Sequence, residues 1–411
     1  MRRVLIFFLL GFLFFQSWTN AFALHELAPL HVIFGVVSIG VFVLYLFITG
    51  ETIRTEVYKT EDLLLGLLLI CLTLAAVIHP REASINYIAA YSYVFLGGFL
   101  VIKGAMYNYL SLRIILNWVL VGVLVTALGS IVEFGITFFF DIDLNPYLYR
   151  LRPSEAMYGF IFPRSAAFST EPGILAFYLE TLGLIAVWTL WKRSWSFYWK
   201  LIGTVTIFFG WILAFSAASV AALTVGGVLA LTFKFMFSHK LYTGALPFLI
   251  VPLLLVGVVL LLQFAKDTLL GQILLKITLQ GDQIGSAGTR LELWTMGLEK
   301  VAEQPFFGEG PGTASSEDRV SNISWYLFLM VEAGVLTSAP VFLFLAAKIG
   351  RIWNASVPGK YWYMTGFLAG AIHLSVISTF FHPFLWTLLI VFDISETRLS
   401  YKYSNLPKYY L

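Results

Sequence analysis

Two stretches of this sequence gather residues that can do chemistry between long apolar runs. The first, Pro163-Arg164-Ser165-Ala166-Ala167-Phe168-Ser169-Thr170-Glu171-Pro172-Gly173, runs directly into an apolar segment. Pro172 suits a first helical turn with Thr170 or Glu171 as its cap, which would hold Arg164 and Glu171 at a membrane's edge, where a lipid headgroup presents its phosphates. The plainer alternatives are a snorkelling arginine and a capping carboxylate. The second stretch runs from Gly285 to Gly334. Thr289 followed three residues later by Glu292 is a capping box, which predicts a helix over about 290–304, starting at Arg290 and stopping before Pro305. Arg290 would then stand in the first turn, where free backbone N–H groups and the helix dipole favour an anion. Spacing of four puts Trp294 beside it, with Leu298 and Val301 continuing the face, so the helix can lie on a membrane with an arginine and an indole leading. Arginine with free amides suits a phosphate; an indole suits a sugar ring or the lipid interface. An amphipathic helix merely resting on the bilayer is the alternative. Beyond it, Gly308-Glu309-Gly310-Pro311-Gly312 could present amides to a phosphate or simply make a turn. Glu332 lies inside an apolar run, where a carboxylate is either functional or satisfied by a neighbour.

What must position these residues is a membrane bundle. The chain has 411 residues, 59% hydrophobic, 17% aromatic and 12% charged, with mean hydropathy +0.85, far outside the range of soluble globular domains. The expected fold is all-α, a single integral membrane domain over 1–411. A span takes about 20 helical residues, which predicts about 12 transmembrane helices. They fall near 4–24, 29–49, 62–79, 84–102, 114–138, 173–191, 197–215, 217–237, 242–264, 323–347, 361–378 and 381–397. Unbroken, the run from Trp195 to Phe237 would be about 60 Å long, about twice the hydrocarbon thickness, so a break is placed at Ser216-Ala217-Ala218-Ser219. With the N-terminus inside, the excess of Lys and Arg falls on cytoplasmic loops and both termini are cytoplasmic. Two large loops, about 139–172 and 265–322, then face outward, the second holding the amphipathic helix. They carry Arg150, Arg152, Arg164, Lys266, Lys276, Arg290, Lys300 and Arg319, against the topological bias, which something anionic outside would explain. Met1-Arg2-Arg3, the apolar run after it and Ala21-Phe22-Ala23 also spell a cleavable signal peptide, a reading that leaves the outer loops outer. Cys71 is alone inside an apolar run, so no disulfide framework, metal ligation or redox chemistry is expected there. No cofactor is expected, and a net charge of +3 without basic runs interleaved with aromatics excludes nucleic acid as a partner.

Arg164, then Glu171-Pro172 and a helix containing Ala176 and Tyr178, then Arg290-x-x-x-Trp294, Pro305-x-x-Gly308-x-Gly310, Tyr326-Leu327 and Glu332-x-Gly334 form a pattern that resembles the O-antigen ligase and polymerase superfamily over roughly 160–350. These are multi-pass bacterial proteins that handle undecaprenyl diphosphate-linked glycans at the outer face of the inner membrane. The resemblance implies a metal-independent, inverting glycosyl transfer in which arginines hold the diphosphate and an acceptor hydroxyl attacks the anomeric carbon. Arg164, Arg290 and Arg319 would neutralise the diphosphate. Trp294, Asn322 and Tyr326 would line the substrate, and Glu171, Glu309 and Glu332 are the candidates for the base. Ligases of this superfamily carry a His-Asn pair just ahead of the Glu-x-Gly helix; this chain has Ile323-Ser324 there, and no histidine between 265 and 372. The turn at 216–219 also lacks the arginine that many members place there. The expected activity is therefore polymerisation of lipid-linked repeat units into a bacterial surface polysaccharide (O-antigen, capsule or exopolysaccharide), with Asn322 as the nearby polar residue. Ligation of the glycan to lipid A-core is the second reading. A lipid-linked oligosaccharide transporter is the third, although it needs charge along a central path, and intramembrane charge here is mainly Glu133, Glu180, Glu332 and Asp393. His373 and His382 fall near the outer half of the last two helices, where a helical histidine more often packs than reacts. The expected partners are the bilayer, the lipid-linked substrate, a chain-length regulator and a flippase.

Overall fold

The computed structural model describes residues 1–19, 21, 22, 29–142, 144, 147, 148, 163–214, 216–236, 285–313, 324–378 and 381–404. Among these residues every regular element is a helix. In chain order they are α1 (Arg2–Phe14), α2 (Leu30–Thr49), α3 (Leu63–Ile78) behind a short 3-10 turn (Thr60–Asp62), and α4 (Ser84–Ser92), which continues through a π-helical stretch (Tyr93–Val101) into α5 (Ile102–Tyr109). Then come α6 (Leu112–Phe140), α7 (Pro172–Trp191), α8 (Phe197–Ile212), α9 (Ala217–Met236), α10 (Gly285–Glu303), α11 (Trp325–Asn354), α12 (Lys360–His373) and α13 (Phe384–Ser404).

Among the described residues six helical stretches are long and apolar enough to cross a membrane: Leu30–Thr49, Thr60–Ile78, Ser84–Tyr109, Leu112–Phe140, Pro172–Trp191 and Trp325–Asn354; Phe197–Ile212 and Ala218–Lys234 are apolar but shorter. The architecture is that of a polytopic membrane protein. The expected break near 216–219 is present between α8 and α9, and the expected segment 242–264 lies outside the described residues. The first expected segment is cut short, because α1 ends at Phe14 and its 13 residues reach only about 20 Å. The residues after it are polar and committed elsewhere. Gln16 donates to the Thr387 hydroxyl at 2.6 Å, Ser17 shares a 2.6 Å bond with Thr126, and Thr19 lies 3.0 Å from the Thr170 hydroxyl. Side chains held this way compete with continuation of the helix.

The bundle is built around α7. Its residues are apolar all round, as a helix enclosed on every side must be, and nearly every one from Pro172 to Leu190 is buried. α6, α8, α9, α12 and α13 pack about it. α7 and α12 run antiparallel: Gly359, just before α12, abuts Trp188 near the end of α7, while His373 at the end of α12 meets Glu180 in the first half of α7. α11 packs on α3, and α10 lies along α11.

At one end of this bundle a charge-balanced cluster is buried. Lys103 on α5 pairs with Asp62 and, at 2.9 Å, with Asp393 on α13. Lys348 on α11 lies 2.9 Å from Asp393, 3.2 Å from Glu61 and 3.3 Å from Asp62. Arg351 pairs with Glu61 and Glu396, and Lys59 with Glu396 at 3.1 Å.

Candidate functional site

The opposite end holds the described residues of the two stretches singled out from the sequence. The loop before α7 is fastened from three sides. Glu133, buried within α6, accepts the Ser165 hydroxyl at 2.6 Å and the backbone amides of Ala166 and Ala167 at 2.9 and 2.6 Å through one oxygen. The α8–α9 connection adds two bonds: Ser165 N–H donates to Leu213 O at 3.0 Å and Arg164 Nε to Ala214 O at 3.3 Å. The segment after α1 supplies the rest. Ser169 donates to Ser17 O at 2.9 Å, Thr170 N–H to the Thr19 hydroxyl at 2.9 Å, and Trp18 stacks on Phe168 with ring centroids 4.2 Å apart. Arg164 is thereby half-buried beside the α8–α9 break. Pro172 opens α7 as expected with Glu171 in the cap position, but the Glu171 side chain makes no capping bond. Its carboxylate is left exposed.

The second half is a broken helix and the loop that fills the break. Gly334 has φ +76° inside α11, a conformation that glycine alone adopts freely. Interrupting the helix releases backbone groups that must find partners elsewhere, and the loop 305–312 provides them. Glu309 N–H donates to Val331 O at 2.9 Å, Gly310 N–H to Glu332 O at 2.9 Å, and Val335 N–H to Pro305 O at 2.8 Å. Gly312 N–H donates to the Glu332 carboxylate at 2.9 Å. Contact is close enough that a Cβ on Gly334 would stand 2.2 Å from Phe306 O, and one on Gly308 2.5 Å from Val331 O. Pro305-x-x-Gly308-x-Gly310 and Glu332-x-Gly334 are thus the two sides of one backbone joint. The α3–α4 turn locks it from behind: Arg81 Nε donates to Glu309 O at 3.1 Å and Ser84 to Pro311 O at 2.7 Å.

These bonds correct one expectation. The amides of Gly308, Glu309, Gly310 and Gly312 all donate to groups within the protein, and Pro311 has none, so the glycine loop is a brace and not a phosphate cradle. α10 corrects another. It starts at Gly285 instead of Arg290, so Thr289 and Glu292 lie inside the helix and not at its start. The four residues ahead of Thr289, Gly285 to Gly288, continue the helix. Of the face expected to lie on the membrane, Val301 is turned to the protein, whereas Trp294 and Leu298 stay outward. Leu293, Gly297 and Val301, spaced by four, meet Leu327 and Val331 of α11, while Trp294 is 37% and Leu298 58% exposed on the outward side.

Of the expected base candidates, Glu332 is fully buried and holds the brace, Glu309 lies 3.8 Å from Lys300, and Glu171 is exposed. The Tyr326 hydroxyl donates to Ala371 O at 2.8 Å, so it braces the start of α11. Arg290 lies within α10, while Arg319 and Asn322 lie outside the described residues. Both halves of the site belong to one end of the bundle: α12 runs antiparallel to α7, so its C-terminal turn lies toward the start of α7, and that turn caps the start of α11 through Trp325 N–H to Leu374 O at 2.9 Å. Sequence reasoning missed two buried partners here. The anchor function of Glu133 was signalled only by its being a carboxylate in an apolar run. His373, set aside as a packing residue, bonds Glu180 through Nδ1 at 2.6 Å. Among the described residues no group of three His, Cys, Asp or Glu is placed to hold a metal ion.

Compared with known families, residues 202–352 match Wzy_C, the O-antigen ligase family. No curated protein matches the chain.

Proposed function

We propose, from the match of residues 202–352 to the O-antigen ligase family, that this chain lengthens a bacterial surface polysaccharide by joining undecaprenyl diphosphate-linked repeat units at the outer face of the inner membrane. The carrying observation is the joint between loop 305–312 and the kink of α11. It fixes a buried carboxylate and an exposed aromatic helix at the same end of the bundle as the Arg164 and Glu171 loop. On this reading Arg164, Arg290 and Arg319 hold the diphosphate. The acceptor hydroxyl oxygen bonds to the anomeric carbon, the bond from that carbon to the phosphate oxygen breaks with inversion, and undecaprenyl diphosphate leaves. Glu171 takes the hydroxyl proton: among the described candidates its carboxylate is exposed and free of capping duty, whereas Glu332 is occupied in the brace. Trp294 and Leu298, exposed on α10, rest in the lipid interface beside the substrate. Both termini are cytoplasmic, and no metal takes part.

Ligation to lipid A-core is the second reading, favoured by the family description itself; the absence of a histidine between 265 and 372 favours polymerisation. Deleting the gene in its native host, then sizing the surface glycan together with what remains on undecaprenyl diphosphate, separates the two. Single exported repeat units that are never lengthened support polymerisation. Full-length polymer stranded on the lipid carrier makes the protein a ligase.

A further inference from the structure

Hydrogen bonds run without a gap from α7 to the start of α11. Glu180, on α7 and fully buried, takes the Ser219 hydroxyl on one carboxylate oxygen and bonds His373 Nδ1 at 2.6 Å through the other. Ser219 in turn accepts the Trp211 indole N–H at 2.7 Å. His373 is the last residue of α12, and its carbonyl accepts the amides of Val376 and Ile377 at 2.9 and 3.2 Å, shaping the turn beyond it. That turn offers Leu374 O and Ile377 O to Trp325 N–H at 2.9 and 2.8 Å, and Ala371 O to the Tyr326 hydroxyl. At the far ends of this chain stand the two halves of the candidate site. Glu171 heads α7, nine residues or about 13 Å along the helix from Glu180, and Glu332 follows Trp325 by two turns of α11.

We infer that the Glu180–His373 pair is a strut that fixes the spacing between the Arg164–Glu171 half and the Glu332 half, both residues positioning the site without touching substrate. Burying a carboxylate and an imidazole costs more than burying two leucines unless each is satisfied by the other. What the pair supplies is direction. Helices in lipid gain little from apolar contact, because the lipid tails are as apolar as the side chains, and a short bond between two fixed helices admits one register. The consequence for turnover rests on the proposed function; the consequence for geometry does not.

The test uses the full chain in lipid nanodiscs, with Cys71→Ser and cysteines at Gly173 and Met296 carrying spin labels. Gly173 has open space around its Cα and Met296 is exposed on α10, so each label reports one half. His373→Ala removes the bond, whereas His373→Asn sets an amide N–H where Nδ1 stood. The strut predicts a narrow interlabel distance distribution in the parent and in His373→Asn, and a broadened one in His373→Ala. Turnover falls with the broadening, on the order of 10²-fold for a misplacement of about 1 Å, with KM changing less, and His373→Asn restores it to within a few-fold. An unchanged distribution in His373→Ala overturns the proposal, since packing then sets the spacing. So does a His373→Asn variant as inactive as His373→Ala but with a narrow distribution, since the imidazole itself then reacts. Distances that respond as expected in a parent that never polymerises support the strut and remove the polymerase reading.

Discussion

Glu133 carries more of the candidate site than its place inside an apolar helix suggests. One of its oxygens accepts three donors from Ser165, Ala166 and Ala167, and that loop holds Arg164 and Glu171 in place. Glu133→Ala takes the acceptor from the Ser165 hydroxyl and the Ala166 amide and leaves the Ala167 amide its longer 3.3 Å bond to Ser165 Oγ, each buried donor being worth about 1–3 kcal/mol when unsatisfied. The variant should lose most of its polysaccharide product and at least about 2 kcal/mol of stability, read by thermal unfolding in detergent; a variant as stable as the parent would mean that water replaces the carboxylate. Arg164→Ala and Arg290→Ala belong to the same scale but predict a different pattern. Each should abolish product while leaving the protein at normal levels in the membrane, as sized glycan and a membrane immunoblot would report. Full activity in either removes that arginine from the site. Charge reversal at Lys234, on α9 beside the Tyr361 ring, should change little.

A helix that must break to do its work is vulnerable at the break, and α11 breaks at Gly334. Gly334→Ala places a Cβ 2.2 Å from Phe306 O and asks alanine to hold φ +76°, a left-handed backbone that costs it roughly 1–2 kcal/mol before any clash. The expected outcome is a helix pushed toward straightness, which strips the bonds from Glu309 and Gly310. Hydrogen exchange should therefore rise at those two amides while the core of α7 stays protected, and activity should be lost. Protection at Glu309 and Gly310 equal to the parent's would show that the joint tolerates a side chain. This scale also marks what the sequence could convey. Apolar runs placed α2, α3 and α7 within about a residue or two at either end, because a span in lipid must satisfy its backbone internally. They erred where polar partners far along the chain decide the outcome: α1 stops at Phe14 because Gln16, Ser17 and Thr19 bond Thr387, Thr126 and Thr170. The motif residues around Pro305 and Glu332 were legible as two patterns. That they form one joint was not, since nothing in either pattern encodes a pairing between backbone groups.

Across the whole molecule the two ends of α11 have different duties. Glu332 braces the candidate site, and Lys348, 16 residues or about 24 Å further along the helix, enters the buried charge cluster with Lys103, Asp62, Glu61 and Asp393. Asp393 is the shared anion of both lysines, and all three are fully buried. Asp393→Ala leaves Lys103 with Asp62 alone and Lys348 with Glu61 and Asp62, so the cluster keeps one positive charge in excess in low dielectric, at a cost of up to about 3–5 kcal/mol. Lys59 pairs with Glu396 and the Thr397 hydroxyl at the edge of the cluster and keeps some contact with solvent, so Lys59→Gln, which retains a donor there, should cost less than Asp393→Ala. Because buried pairs are screened far less than exposed ones, the loss in Asp393→Ala should be the same at low and high salt. The cluster joins the 59–62 turn, α5, α11 and α13 without touching the α7–α12 strut. Asp393→Ala protein that survives at low temperature should therefore keep its turnover and its Gly173–Met296 distance while melting early. A variant that loses turnover at a temperature where it remains folded would instead tie the charge cluster to the chemistry at the other end of the bundle.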